Sequence, residues 1–242
     1  RDFCLSRGLG DVYKRQGGAA CDILFESNEV NFRATRDLDM VLIVEALTPE
    51  FGEKFWEFIV DGKYRNKATN GSNPQFYRFD KPEDDEFPKM IELFCRSDFK
   101  LKNAKGITPI HIDDEVSSLS AILLNDDYYK ALLNGKEVRN GLSVLRPEYI
   151  ILFKAKAYLD LQKRKDSGEK LDSSDIKKHK KDVLRIASEL MLEKVEELPI
   201  AVDADIHSFI DLLEQEPFDQ NSLKRYGLKN ENVVELLKRV FG

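Results

Sequence analysis

The chain has 242 residues, of which 42% are hydrophobic and 34% are charged, and its formal net charge is −6. This composition is typical of a globular protein, and the length allows one large domain or two small ones. The acidic balance argues against a surface that binds nucleic acid over its whole extent, while a local basic patch stays open. Three cysteines without metal-ligand spacing favour a reducing, cytoplasmic setting over a disulfide framework. No stretch has the roughly 18 apolar residues of a membrane span, so no membrane partner is expected.

The first sixteen residues differ in character from the rest. The string RDFCLSRGLGDVYKRQ has no initiator Met, no clear periodicity and no apolar signal-peptide region. It resembles translated sequencing-adapter read-through, so residues 1–16 are treated as a non-native segment and left out of the predicted fold. On that interpretation the native sequence before Gly17 is missing, and an opening helix and strand with it. The alternative is a genuine, irregular N-terminus.

Residues 17–145 are predicted to form an α/β domain. Gly17 and Gly18 indicate a turn before a short helix of small residues. The apolar run from Leu38 to Val44 is typical of a strand covered on both faces, and Met90 to Cys95 alternates as a strand does. Weaker patterns indicate a helix at 48–62, short strands at 74–79 and 106–112, a helix at 116–124 and a hairpin at 134–145.

From Pro147 onwards the pattern is helical, so residues 146–242 are predicted to form an all-helical C-terminal domain. Pro147 suits the first position of a helix of about five turns. A second helix at 175–198 carries one apolar stripe: Ile176, His179, Val183, Ile186 and Leu190. His179 on that stripe is interpreted as a core or interface histidine with satisfied hydrogen bonds. Two further helices are expected at 204–214 and 232–241.

Two aspartates, Asp37 and Asp39, lie at the start of the first apolar strand. Residues i and i+2 of a strand project to the same side, so the two carboxylates lie together if the strand has begun by Asp37. Uncompensated charges beside a buried strand are costly. A metal ion, a basic partner or open water at the strand end could each compensate them, and an Asp-x-Asp pair also occurs by chance as a solvated turn.

Glu92 is the one charge inside the second strand, between Ile91 and Leu93. If this strand lies beside the first, three carboxylates converge. Such a cluster suits two Mg²⁺ ions, which would hold a triphosphate and activate an attacking hydroxyl group. The alternative is an edge strand with Glu92 facing water.

The order of these motifs resembles the polymerase-β-type nucleotidyltransferase superfamily. That family has a Gly-Gly turn at a helix start, an Asp-x-Asp pair on the next strand and a third carboxylate on a later strand. The segments ILFKAKAYLDL and SSDIKKHKKDVLRI resemble the AbiEii toxin-like nucleotidyltransferases, so the resemblance covers about residues 17–190. It implies an α+β fold: a nucleotidyltransferase-like mixed β-sheet flanked by helices, followed by an all-helical C-terminal half.

The resemblance implies a role for each matching residue. Asp37, Asp39 and Glu92 match the catalytic metal ligands, although Glu92 stands where Asp is common. The residues that match nucleotide-binding positions are Gly17 and Gly18 of the turn, Arg33 and Thr35 before the acidic pair, Lys154 of the first long helix and Asp175 of the second. Lys181-Asp182 is a competing match for the acidic position of the second helix.

The same resemblance implies an activity and its partners. The expected reaction is Mg²⁺- or Mn²⁺-dependent transfer of a nucleotidyl group from an NTP to a hydroxyl acceptor, with tRNA as a candidate acceptor. A bacterial toxin–antitoxin or phage-defence setting, with an antitoxin protein as partner, follows by analogy. Two rivals stay open: a transferase of the same fold that modifies a small molecule or a protein, and a non-catalytic module that binds a nucleotide or a partner.

The helical residues also have simpler explanations. Lys154 could extend its apolar stem along the surface. Asp175 could be placed in the first helical turn by the helix dipole alone. The segment from Lys163 to Arg185 holds nine Lys/Arg against five Asp/Glu, a local charge of +4. Such a run is usually a solvated helix face, and the sharper interpretation is an electrostatic contact for an RNA acceptor.

Overall fold

A computed structural model describes residues 13–16, 37–42, 55, 57–66, 76–84, 87–95, 125–139 and 142–242. Within these ranges the protein is mixed α+β and mostly helical. It divides into two compact units. The described part of the first unit holds the strands and a helical stretch at 57–61, and that of the second holds residues 125–135 and everything from Arg146 to Gly242.

The first unit contains a seven-stranded sheet in the order β3-β4-β5-β2-β1-β7-β6. Strands β2 and β5 run parallel to each other, as do β1 and β7, and the other neighbours are antiparallel. The strands are β1 (Tyr13–Gln16), β2 (Asp37–Leu42), β3 (Arg65–Asn66), β4 (Phe76–Asp80), β5 (Met90–Cys95), β6 (Lys136–Arg139) and β7 (Leu142–Leu145).

The middle of this sheet is covered on both faces. Val41 of β2 and Ile91 of β5 are each 0% exposed. Residue Leu38 pairs with Ile91 across the two strands, and Leu38 and Val41 lie on opposite faces because their separation along the strand is odd. Continuous apolar runs such as the one in β2 are expected where a strand is buried on both sides.

Aromatic side chains pack beside the outer strands of the first unit. The rings of Phe55 and Phe79 meet edge to face with centroids 5.5 Å apart, and those of Phe58 and Phe87 lie 5.0 Å apart. All four side chains are buried. Aromatic pairs of this kind add to the hydrophobic stabilisation that comes from their buried area.

The second unit is helical. Its helices are α1 (Asp126–Asn134), α2 (Pro147–Asp166), α3 (Ser173–Glu189), α4 (Ile200–Gln215), α5 (Gln220–Arg225) and α6 (Asn230–Phe241). Local signals set several of their starts: the Asn125 side chain accepts hydrogen bonds at the start of α1, Pro147 opens α2, and the Asp172 carboxylate accepts the Ser174 N–H at 2.8 Å to cap α3.

The core of the helical unit is formed by apolar stripes of α2, α3, α4 and α6. Val183, Phe209, Leu213 and Leu237 are each 0% exposed. The stripe predicted for α3 is confirmed in this respect, since its aliphatic members are all buried. Burial of each such side chain stabilises the fold by about 1.5–3 kcal/mol.

The predicted second long helix ends earlier than expected. It was predicted to reach residue 198, but α3 ends at Glu189 and residues 190–199 have no helical structure. Tertiary hydrogen bonds hold this segment: the Glu193 N–H donates to the Glu148 carboxylate at 2.6 Å, and the Val195 N–H donates to the Val240 carbonyl at 2.8 Å. These bonds take up backbone donors that a longer helix would have used internally.

Four described elements were not predicted, among them the two-residue strand β3. Helices α1 and α5 escaped the pattern search, and Tyr13–Gln16 forms β1 although residues 1–16 were left out of the predicted fold. Strand β1 pairs with β2 antiparallel, with Gln16 opposite Asp39. The strand and helix predicted at 106–112 and 116–124 lie outside the described residues. No helix in the described ranges is both long and apolar enough to cross a membrane.

Candidate functional site

The two carboxylate-bearing strands predicted from the sequence are neighbours in the sheet. β2 and β5 are parallel, and Asp39 is the register partner of Glu92. Asp37, two residues before Asp39, pairs with Met90. Because register partners and alternate residues of a strand share one face of a sheet, the backbone places Asp37, Asp39 and Glu92 on the same face.

Residues of β1 and β4 extend this row on either side. Gln16 is the register partner of Asp39, and Arg78 is the register partner of Glu92. Across strands β1, β2, β5 and β4, this row therefore consists of Gln16, Asp39, Glu92 and Arg78. The position of Arg78 beside Glu92 was not predicted from the sequence, because it depends on which strand lies next to β5.

Asp80 lies on the same face, two residues after Arg78. Its register partner is Met90, whose partner on the other side is Asp37. The Asp80 side chain is partly buried, and its Oδ1 atom is buried without a hydrogen-bond partner among the described residues. That Arg78 and Asp80 lie on one face could have been predicted from the sequence FYRFD, because residues i and i+2 of a strand share a face.

Several predicted site residues lie outside this description. Gly17, Gly18, Arg33 and Thr35 fall outside the described residues, as do the side chains of Asp37, Asp39 and Glu92, for which the backbone alone is described. Among the side chains that are described, no group of three or more His, Cys, Asp or Glu is arranged to hold a metal ion.

Lys154 forms an ion pair between two helices of the second unit. Its Nζ atom on α2 lies 2.7 Å from Oδ2 of Asp182 on α3, and the two side chains are 15% and 30% exposed. The alternative of an apolar stem that reaches into water therefore does not describe Lys154. Asp182 was the competing match for the acidic position of this helix, and it is the residue that the fold pairs with the lysine.

His179 lies three residues before Asp182 on α3. Both ring nitrogens are buried and have no hydrogen-bond partner among the described residues. Burial and, to a smaller extent, the nearby Lys154 ammonium group lower the pKa of His179 to about 3, although Asp182 acts in the opposite sense. The ring is largely buried, as predicted, but no described residue supplies the hydrogen bonds that the prediction also expected.

Asp175 lies in the first turn of α3. Its backbone N–H donates to the Asp172 carbonyl at 3.2 Å. A carboxylate in this position is favoured by the helix dipole whatever else it does. The carboxylate that the structure shows paired with Lys154 is that of Asp182.

The basic segment between Lys163 and Arg185 is partly neutralised inside the second unit. Arg164 holds both Glu169 oxygens, at 2.6 and 2.5 Å, and Arg185 contacts Glu189 at 3.0 Å. Lys177 and Lys181 are exposed and stand one turn apart on α3. Glu169 was already counted in the local charge of +4, so only the contact of Arg185 with Glu189 brings a further negative charge to this segment.

A second Lys–Asp contact fastens α2 to a different helix. Lys156 Nζ lies 3.1 Å from Asp205 Oδ2 on α4 and 3.1 Å from Asp160 Oδ1 on its own helix. The Tyr128 hydroxyl on α1 donates to the same Asp205 oxygen at 2.9 Å. Burial opposes the charge on Lys156, but its hydrogen bonds to the two aspartates raise its pKa above the ordinary value.

Glu148 is a buried carboxyl group in the first turn of α2, with 1% of the residue exposed. Oε1 accepts the Glu193 N–H, while Oε2 is buried without a hydrogen-bond partner among the described residues. Burial raises the pKa of Glu148. This contact was not predicted, because the segment around Glu193 was expected to be helical.

Comparison of the chain with protein-family models and with curated proteins finds no match.

Proposed function

We propose that the protein is a nucleotidyltransferase that uses a divalent metal ion to transfer a nucleotidyl group from an NTP to a hydroxyl acceptor. The observation that carries the proposal is the register of β2 and β5, with Asp39 opposite Glu92 and Asp37 on the same face. Two acidic residues opposite each other on neighbouring strands destabilise a sheet unless something compensates them. A bound cation would offset the repulsion between the two carboxylates and would also serve the transfer reaction.

The donor set fits a hard cation. Three carboxylates on one sheet face are oxygen ligands of the kind that Mg²⁺ and Mn²⁺ prefer. Asp37, Asp39 and Glu92 would hold the metal. When bound, the metal would stabilise charge on the phosphates and lower the pKa of the attacking hydroxyl group. Glu92 has the further role, taken from the resemblance, of helping to deprotonate the acceptor hydroxyl.

The remaining roles come from the resemblance to the AbiEii toxin-like family. The turn at Gly17 and Gly18 would cradle phosphate with its backbone N–H groups. Arg33 and Thr35 would steady the loop or the phosphates, and Lys154 would contact the triphosphate. The pairing of Lys154 with Asp182 favours Asp182 over Asp175 as the acidic partner in the helical unit.

The acceptor that we propose is an RNA hydroxyl, with tRNA as the first candidate. The exposed lysines of α3 support this, because neutralising phosphates is the main source of nonspecific affinity for nucleic acid. A cytoplasmic toxin held in check by an antitoxin protein is the corresponding biological setting.

A transfer assay tests the proposal. The purified protein is incubated with each of the four α-labelled NTPs, Mg²⁺ or Mn²⁺, and a mixture of RNA, small hydroxyl compounds and protein. Label in RNA is the expected result; label on a small molecule or on protein would identify the rival transferase of the same fold. D39N and E92Q should each abolish transfer, whereas E83Q, which removes an exposed carboxylate of the same unit, should not.

The non-catalytic rival gives a different result in the same assay. A nucleotide-binding module would retain NTP by equilibrium dialysis and release no pyrophosphate with any acceptor. If D37N and D39N bind Mg²⁺ and NTP as tightly as the unaltered protein, the proposed metal site is wrong.

A further inference from the structure

Two arginines lie on the face of the sheet that carries the proposed metal ligands. Arg78 of β4 is the register partner of Glu92, and Asp80, two residues further along β4, is the register partner of Arg65 on β3. Register partners share a face of a sheet, as do residues i and i+2 of a strand, so these four residues lie on one face. Among the described register partners of the three proposed metal ligands, Arg78 is the basic one.

The sheet sets the spacing between Glu92 and Arg78. For both residues the structure describes the backbone, and their placement follows from the antiparallel register of β4 and β5. Neighbouring strands lie about 4.8 Å apart, and the Cβ atoms of antiparallel register partners lie about 4.5–5.5 Å apart. An opposite-charge pair at this spacing stabilises a sheet only modestly, so a stronger anion readily replaces the carboxylate as the partner of the arginine.

Arg78 has a different electrostatic environment once a divalent cation is bound. Two positive groups, the metal ion and the guanidinium, would then stand beside the one carboxylate of Glu92, and like charges at such short separation repel. A further anionic group beside both of them offsets that repulsion. The triphosphate of an NTP supplies several negative charges, and the planar guanidinium fork matches pairs of phosphate oxygens.

We infer that Arg78 changes partners when metal and nucleotide bind: it compensates Glu92 in the protein without ligands, and it binds a phosphate group of the nucleotide when a metal ion occupies Glu92. This inference rests on the proposed function. Arg78 is thereby a nucleotide-binding residue within the first unit, at a position to which the resemblance assigns no role. If Arg78 served only to stabilise the sheet, its removal would change the stability of the first unit and leave nucleotide affinity unchanged.

Arg65 provides a matched control in the same sheet. It lies on the same face as Arg78, one strand further from the proposed metal ligands, and it is opposite Asp80. R65Q and R78Q each remove one positive charge and one register pair of opposite charges. Because Asp80 is not a proposed metal ligand, R65Q should leave the affinities for metal and nucleotide within about twofold of those of the unaltered protein.

Equilibrium dialysis tests the inference without catalysis, with Mn²⁺ alone and with the α,β-methylene analogues of the four NTPs at saturating Mn²⁺. R78Q should weaken binding of the analogue by about tenfold, because the charged hydrogen bonds to phosphate are lost. Without nucleotide, R78Q should bind Mn²⁺ as tightly as the unaltered protein or up to about fivefold more tightly, since a competing cation is removed. R78K keeps the charge without the fork, so it should weaken analogue binding by about threefold. It also serves as the second variant if R78Q does not fold.

Failure of the inference and failure of the proposed function are distinguishable. If the unaltered protein binds neither Mn²⁺ nor any of the four analogues, the proposed function is wrong and the inference falls with it. If it binds both, and R78Q, or R78K in its place, binds the analogue equally tightly, the proposed function stands and Arg78 is only a structural partner of Glu92. Weaker Mn²⁺ binding by R78Q without nucleotide would also overturn the inference, as would equal losses of analogue affinity in R65Q and R78Q.

Discussion

Asp39 of β2 and Glu92 of β5 are register partners on two adjacent parallel strands, with Arg78 of β4 on the other side of Glu92. Two acidic residues opposite each other are destabilising by roughly the amount that an opposite-charge pair gains, a few tenths to about 1 kcal/mol. The row thus contains one unfavourable and one favourable neighbour. If the proposed function is right, a bound cation would offset the unfavourable contact, which gives a direct test by unfolding.

The first prediction concerns metal-linked stability. Mg²⁺ or Mn²⁺ should raise the free energy of unfolding of the unaltered protein, because a ligand that binds only the folded state stabilises it by mass action. D39N should be insensitive to the metal. In the absence of metal, D39N should be as stable as the unaltered protein or more stable by up to about 1 kcal/mol, because the repulsion with Glu92 is removed.

Urea unfolding with and without about 5–10 mM metal measures the change in the free energy of unfolding. Ca²⁺ is a useful comparison, since it accepts oxygen ligands but tolerates a looser geometry. A metal effect of equal size in D39N would contradict the prediction, and so would a large loss of stability in D39N without metal.

The second prediction concerns the pH dependence of the helical unit. The His179 ring has a pKa of about 3 in the folded protein, well below its value of 6.5 in an unfolded chain. Between these two pKa values the unfolded chain binds a proton that the folded protein does not. Stability should therefore fall as pH drops from 6.5 towards 3, by up to about 1.4 kcal/mol for each pH unit from this group.

H179L isolates that contribution. Leucine fills similar apolar space and cannot titrate, so the difference in stability between H179L and the unaltered protein should widen as pH falls below 6.5. At pH 7 the variant should also be more stable, by about 1–3 kcal/mol, because two buried nitrogens without partners are removed. A difference that does not change between pH 7 and 4.5 would show that the ring is hydrated or hydrogen-bonded in solution.

The third prediction concerns the exposed lysines of α3. Lys177 and Lys181 lie one turn apart on the surface, where phosphates of an RNA acceptor could reach both. Replacing both with glutamine should weaken RNA binding and reduce the slope of log K against log salt concentration by about 1–2. K63Q, in the first unit, should leave the slope unchanged. Affinity that falls without any change of slope would point to a structural effect of the α3 substitutions.

The limits of sequence reasoning are clear from particular residues. The alternation in Met90–Cys95 predicted β5 correctly, and Pro147 marked the start of α2. These signals are local. The place of Arg78 beside Glu92 depends on strand order, which is set by contacts between residues far apart in the chain. The prediction of a cation between the strands stays a prediction.

In the helical unit, too, local features were predicted and contacts between distant residues were not. The stripe that contains Val183 and Ile186 was visible from its spacing, because a buried helix face must repeat with the helical period. The environment of His179 was not visible, since the number of hydrogen bonds it forms depends on atoms of other helices. The end of α3 at Glu189 was missed for a related reason: bonds from Glu193 and Val195 to distant residues override local helix propensity.

The fourth prediction concerns Glu148, whose carboxyl group is buried at the start of α2 and accepts the Glu193 N–H. Burial raises its pKa in the folded protein above the ordinary value of 4.5. The folded protein therefore retains a proton that the unfolded chain has already lost, so this group's contribution to stability is full at low pH. It is lost as pH rises from 4.5 through the folded pKa.

E148Q separates the charge from the hydrogen bond. The glutamine carbonyl still accepts the Glu193 N–H, while the cost of burying a charge disappears, so E148Q should gain stability relative to the unaltered protein as pH rises from 4 to 7. E148A removes the acceptor as well and should cost about 1–3 kcal/mol at every pH, because the Glu193 N–H loses its partner. Chemical unfolding at pH 4, 5.5 and 7 distinguishes the two variants. If E148Q instead loses stability as pH rises, the ionised carboxylate is better solvated than its burial indicates, and the contact with Glu193 would be a charged hydrogen bond that holds residues 190–199 most firmly at neutral pH.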